Sequence, residues 1–195
     1  MAVTLEPTLV VLDDSENQVM DAVLACVDRE GWDKVTMDDI CTVAGMSRAT
    51  LYRMFPGGRD VLFEAVRERQ LGRFFEVVRA RVEGADSLEE VLVRCLTVAA
   101  NELASDQRMA DSLATAPGEA LGDLTVGGMS RIIRVAVAMV TPLIDPFIPH
   151  DESEELVEIL CRLVISTYLA PSRILDFTDE TKVRRLIRTY IEQHD

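Results

Sequence analysis

Between Gly31 and Gly58 the chain is stopped three times, and only short helices fit between the stops. Gly31 ends the helix before it by taking a left-handed conformation that other residues resist. Thr36 opens the next, its hydroxyl accepting from free backbone N–H groups, and Asp39 three residues on makes a variant of the capping box. That helix, Met37 to Ala44, ends at Gly45. Ser47 caps a third helix running to Phe55, where Pro56-Gly57-Gly58 breaks the pattern. Two short helices joined by a tight turn at Gly45-Met46 form a helix-turn-helix candidate.

Apolar residues at helical spacing dominate elsewhere. Val19, Val23, Cys26 and Val27 predict a helix over Ser15 to Glu30. Leu62, Val66, Leu71, Phe74, Phe75 and Val78 line one side of a helix from Asp60 to about Val82. Leu88 to Ala104 is apolar on nearly every side, which predicts burial. Asp106 to Thr115 is a weaker helix, and Pro117 to Gly128 is Gly-rich. Met129 to Val140 resumes helix, Pro142, Pro146 and Pro149 read as a loop, and Asp151 to Ala170 and Asp179 to Gln193 close the chain as helices. No strand pattern or internal repeat occurs. The expectation is an all-α protein with an arm over 1–14, a three-helix helix-turn-helix domain over 15–62 and a larger helical domain over 63–195.

Charge says what the motif meets. The 195 residues carry 34 acidic against 20 basic groups, a net charge of -14. General attraction to nucleic acid or to an anionic membrane is therefore excluded, and any such binding must be local. Yet from Ile40 to Arg59 there is no Asp or Glu, while Arg48, Arg53 and Arg59 are present. In a helix-turn-helix the second helix enters the major groove by its amino-terminal end. Carboxylates on that face would meet a phosphate charge about every 1.7 Å of duplex axis. Arg48 at the helix start can reach a base edge, and Thr50 a base or sugar. Tyr52 and Arg53 can donate to phosphate, and Arg59 sets a cation near the backbone.

Other classes fit poorly. The start of the chain lacks a positive region and its apolar run Leu9–Leu12 is too short for a signal peptide. Val135 to Val140 falls well short of the ~20 residues that span a bilayer. The expectation is a cytoplasmic protein without membrane contact. Cys26, Cys41, Cys95 and Cys161 are widely spaced, and His150 and His194 are the only histidines, so neither a metal site nor a cofactor is expected. The four thiols read as reduced packing residues. Adjacent carboxylates at Asp13-Asp14 and Glu154-Glu155 sit at helix starts, where they favour the macrodipole. Nothing supplies a nucleophile with its base, so an enzyme is not expected.

Thr36 to Leu62, TMDDICTVAGMSRATLYRMFPGGRDVL, resembles the DNA-binding signature of the TetR family of transcriptional regulators. The resemblance rests on Thr opening the second helix, Ile40 and Ala44 inside it, Ala-Gly-Met-Ser at the turn, Thr-Leu-Tyr in the third helix, and Phe55 before a basic residue. It covers about the first 65 residues and implies DNA contacts for Thr36, Ser47, Arg48, Thr50, Tyr52 and Arg53. Arg59 takes a place usually held by Lys. Met54 departs from the pattern, which often has His or Tyr there, and a thioether cannot donate to phosphate. The family also implies a helical ligand-binding and dimerisation domain, a repressor's sign, and effectors such as drugs, lipids, acyl chains or metabolites. A helical adaptor that has lost DNA binding is the alternative.

Trp32, Ile40, Ala44, Leu51 and Phe55 read as packing residues of the small domain. In the larger one, Arg94, Thr97 and Asn101 form a polar stripe on an otherwise apolar helix. Such a stripe either finds partners within the protein or lines a cavity. With Ile133 and Val137 from the apolar segment Met129 to Val140, a cavity would suit an apolar, acyl-like small molecule. Leu156, Leu160, Leu163 and Thr167, with Leu186 and Tyr190, give the last two helices more apolar surface than one neighbour covers. That predicts a homodimer presenting two recognition helices to a palindromic operator.

Overall fold

The computed structural model describes residues 14–106, 110 and 126–190. The arm, the Asp106–Thr115 helix beyond Asp106 and Ala110, the Gly-rich stretch before Val126 and the chain end after Tyr190 lie outside the described residues. Among the described residues every regular element is a helix. These are α1 (Asp14–Glu30), α2 (Met37–Ala44), α3 (Arg48–Met54), α4 (Arg59–Val82), α5 (Leu88–Ser105), α6 (Val126–Ile144), α7 (His150–Leu169) and α8 (Glu180–Tyr190). The chain divides into two compact units, Met1–Leu71 and Gly72–Asp195.

In the first unit the stops act as their chemistry requires. Thr36 caps α2 with a complete capping box: its Oγ1 accepts from the Asp39 N–H at 3.3 Å, and its own N–H donates to Asp39 Oδ2 at 2.9 Å. Gly45 takes φ 65°, and the Met46 N–H closes the helix end on Cys41 O at 3.0 Å. Ser47 Oγ accepts from the Thr50 N–H at 3.1 Å to start α3. Gly57 has φ 118°, and a Cβ there would fall 2.5 Å from Val61 Cγ2, so the break before α4 requires glycine. Val19, Val23, Cys26, Ile40, Leu51, Leu62 and Val66 are almost fully buried together, so α2 and α3 are held by packing against α1 and the first turns of α4. Trp32 and Phe63 add an edge-on ring pair at 5.4 Å.

The second unit packs α5 against α6, α7 and α8, and α6 against α7. Leu92, Ile144, Val164, Val183 and Ile187 lie in its interior. Ser87 caps α5 through the Glu90 N–H at 3.2 Å. Arg184 of α8 then reaches Glu89 at 2.7 Å and Glu90 at 2.9 Å, while Arg188 donates to Glu89 at 2.9 Å. α6 departs from the expected boundaries. It begins at Val126, before the Gly127-Gly128 pair, and runs on through Pro142, which the local pattern puts in a loop. Proline costs a helix about 3 kcal/mol. Thr141 and Ile144 on either side are buried, so packing outweighs that cost. The loop is confined to the residues between α6 and α7.

Candidate nucleic-acid interface

α3 turns Leu51 inward and leaves Arg48, Tyr52 and Arg53 exposed. This division follows from its seven residues: Leu51 anchors the helix at 0 % exposure, Thr50 and Met54 are half-buried, and Arg48, Ala49, Tyr52 and Arg53 are exposed. Ser47 and Thr50 hold each other at 3.0 Å between hydroxyls at the helix start, so their oxygens sit together at the exposed end. Tyr52 lies beside Gly58, where an added Cβ would come within 3.2 Å of the ring. That glycine lets the ring settle against backbone while half of Tyr52 remains in solvent. Thr36 is exposed at the start of α2, and its partner Asp39 is held below the usual carboxylate range by the Thr36 hydroxyl and N–H.

Arg59 and Arg48 make contacts that the sequence does not point to. Arg59 donates Nε to Val35 O at 3.0 Å and Nη2 to Trp32 O at 2.6 Å, and its guanidinium lies 4.2 Å from the centre of the Phe63 ring. It ties the start of α4 to the α1–α2 connection, so its charge is engaged with internal carbonyls and is not aimed outward. Met54 is half-buried against the same core, which accounts for a thioether at that position: it packs. Arg48 is exposed but paired, with Nε and Nη2 donating to the two carboxylate oxygens of Asp38. Asp38 stands in the first turn of α2, ten residues earlier and just outside the acid-free window, so no local pattern in the sequence points to it.

Residues 19–66 match the family described as bacterial regulatory proteins, tetR family. That match spans most of α1, all of α2 and α3, and the first turns of α4. Over these residues the amino-terminal unit is similar to that family. Members of this family are DNA-binding transcription factors and not enzymes. No curated protein matches the chain. Two solved structures share the fold beyond the matched segment. One is a TetR family repressor, AlkX from Dietzia sp. strain DQ12-45-1b, implicated in biodegradation of n-alkanes. It is 21% identical, with a TM-score of 0.64 over 90% of this chain and 94% of that one. The other is the fatty acid degradation regulator FadR from Bacillus halodurans, 16% identical, with a TM-score of 0.57 over 90% of this chain and 95% of that one. The tetR-type fold, a helix-turn-helix unit followed by a larger helical unit, is therefore the fold of this chain.

The remaining sequence candidates lie in the second unit. Arg94 pairs with Glu90 at 2.8 Å and donates to Glu83 O, so it belongs to the polar surface around the start of α5 and not to an internal cavity. Asn101 is exposed and donates to Thr97 O at 2.8 Å, which also removes it from an interior site. The Thr97 hydroxyl is different: it is buried and has no hydrogen-bond partner. The same holds for Thr141 on α6, the helix that carries buried Ile133 and half-buried Val137. On α7, Leu160 is buried in its own chain, so it is not free to meet a partner. Leu156 and Thr167 are half-buried, and Ile159 and Leu163 are exposed. On α8 Leu186 is half-buried and Tyr190 is 74 % exposed. No helix among the described residues is long and apolar enough to cross a membrane.

Proposed function

We propose that this chain is a ligand-responsive transcriptional regulator, repressing in sign, that binds a palindromic operator as a homodimer. The observation that carries the reading is the outward face of α3, where Arg48, Tyr52 and Arg53 are exposed on a segment with no acid of its own. Thr36, Ser47 and Thr50 add hydroxyls at the two helix starts beside it. Residues 15–62 are the DNA-binding part, and residues 63–195 bind effector and pair the protomers.

Pairing is supported by Ile159, Leu163 and Tyr190, exposed apolar side chains on α7 and α8. One module on a body of charge -14 binds weakly, whereas two linked modules gain from effective concentration. For the effector, the buried and unpartnered hydroxyls of Thr97 and Thr141 sit on helices that also present Ile133 and Val137. A buried hydroxyl left without a partner costs about 1–3 kcal/mol, which a ligand oxygen would recover. An acyl-like molecule, with an apolar body and one polar end, would match groups of these two kinds. One structural relative is a repressor implicated in biodegradation of n-alkanes and the other a fatty acid degradation regulator, names that fall in the same chemical class.

Selection of duplexes from a random-sequence pool tests this reading. The expected product is a palindrome whose half-site centres lie about 34–36 Å apart, or a multiple of that. A medium-chain fatty acid added afterwards changes the affinity for it. A protein that enriches no duplex, at any salt concentration, is an adaptor and not a regulator.

A further inference from the structure

Arg48 does not approach DNA as a free cation. Asp38 holds it side-on, taking the edge formed by Nε and Nη2 with both carboxylate oxygens. A guanidinium is a planar fork of five N–H donors. A side-on carboxylate occupies two of them and leaves the end edge, Nη1 and the second hydrogen of Nη2, directed along the side chain. Both partners are largely in solvent, 64% exposed for Arg48 and 61% for Asp38. An exposed ion pair adds little to stability, so holding the fold together does not account for it.

The free edge matches one target well. Guanine presents O6 and N7 in its plane on the major-groove side, and an end-on guanidinium meets both. Phosphate oxygens accept from any direction and set no such requirement. Clamping Arg48 therefore has two consequences with opposite effects on affinity. It removes rotamer freedom that binding would otherwise cost, which favours the oriented contact. It also cancels the side chain's charge, which weakens general attraction to the backbone. Arg53 on the same helix has no acidic partner among the described residues, and serves phosphate without orientation.

We propose that Asp38 is a positioning residue that fixes Arg48 for guanine, giving each half-site a guanine and lowering affinity for unrelated DNA. This rests on the reading that α3 docks in the major groove. The test compares the parent with Asp38→Asn, Arg48→Ala and the double variant. Each is used to select duplexes from a random pool, and each is titrated with an alternating dA·dT duplex, which holds no guanine. The parent selects a palindrome with one fixed guanine per half-site, and Arg48→Ala loses it. Asp38→Asn keeps the palindrome but weakens the preference for guanine about tenfold. The same variant binds the alternating duplex about threefold tighter, with a salt dependence steeper by about one ion per half-site as Arg48 turns to phosphate. In the Arg48→Ala background, Asp38→Asn changes base preference no further.

A merely structural Asp38 would lower the thermal midpoint and weaken every duplex alike, and that result overturns the proposal. So does an Asp38→Asn pool with guanine fixed as strongly as in the parent. A parent palindrome with no guanine dependent on Arg48 also refutes it, while leaving the regulator reading intact. A parent that enriches no duplex refutes both.

Discussion

At the scale of single residues, exposure separates side chains that serve binding from those that serve folding. Tyr52→Phe removes one hydroxyl from a half-exposed ring and leaves the packing against Gly58 unchanged. It is expected to weaken operator binding severalfold with an unaltered thermal midpoint, read by anisotropy and by calorimetry on the same sample. Arg59→Ala is expected to do the reverse in order of cause. It strips Val35 O and Trp32 O of their charged donor, and such bonds contribute about 1.5–3 kcal/mol each. The first unit should unfold at lower temperature, and DNA binding should return on cooling below that midpoint. If Arg59→Ala melts like the parent but binds DNA poorly, the arginine is a phosphate contact after all. Thiol chemistry offers a further check. Burial pushes the Cys95 thiol up to about 12, so it should stay unlabelled by a thiol reagent at pH 8 until the protein unfolds.

At the scale of elements, local signals were legible and tertiary ones were not. The boundaries of α2 and α3 could be read because caps act within three residues: Thr36 on Asp39, Ser47 on Thr50, Gly45 on Cys41. Pro142 misled because its helix is stabilised by what it packs against and not by its own sequence. The Asp38–Arg48 pair and the Arg59 carbonyl contacts were hidden for the same reason, since each joins residues ten or more apart. The α5–α8 clamp is a third case, with Arg184 lying 94 and 95 residues from its partners. It carries a pH prediction. Bonds from Arg188 and then Arg184 hold Glu89 below the ordinary carboxylate range, and Arg94 and Arg184 do the same for Glu90. Carboxyls depressed in the folded state bind fewer protons there than in the unfolded chain. Their stabilisation is complete above the unfolded value near 4.5 and is lost as pH falls through the lower folded one. Arg184→Leu should therefore flatten the acid limb of the stability profile while the limb above pH 6 changes shape little. An acid limb as steep as the parent's would contradict the assigned role.

At the scale of the whole molecule, a strongly acidic chain binds an acidic polymer only by confining the contact and repeating it. Confinement comes from the acid-free window, and repetition requires a second copy. Leu163 is exposed on α7, so an arginine there should not disturb the interior of its own chain. Leu163→Arg is expected to sediment as a monomer of 21.7 kDa and to lose operator binding together with pairing. A monomer that still held a palindrome tightly would dissociate the two properties. The claim on which the rest depends is that the outer face of α3 meets DNA. The most direct measurement is the salt dependence of binding to the selected palindrome, for the parent and for Arg48→Ala combined with Arg53→Ala. In the double variant affinity should fall at least tenfold and the slope of log affinity against log salt should become shallower by about one ion or more per half-site, with the thermal midpoint unchanged. Equal affinity and equal slope for the two proteins would show that DNA binds elsewhere or not at all.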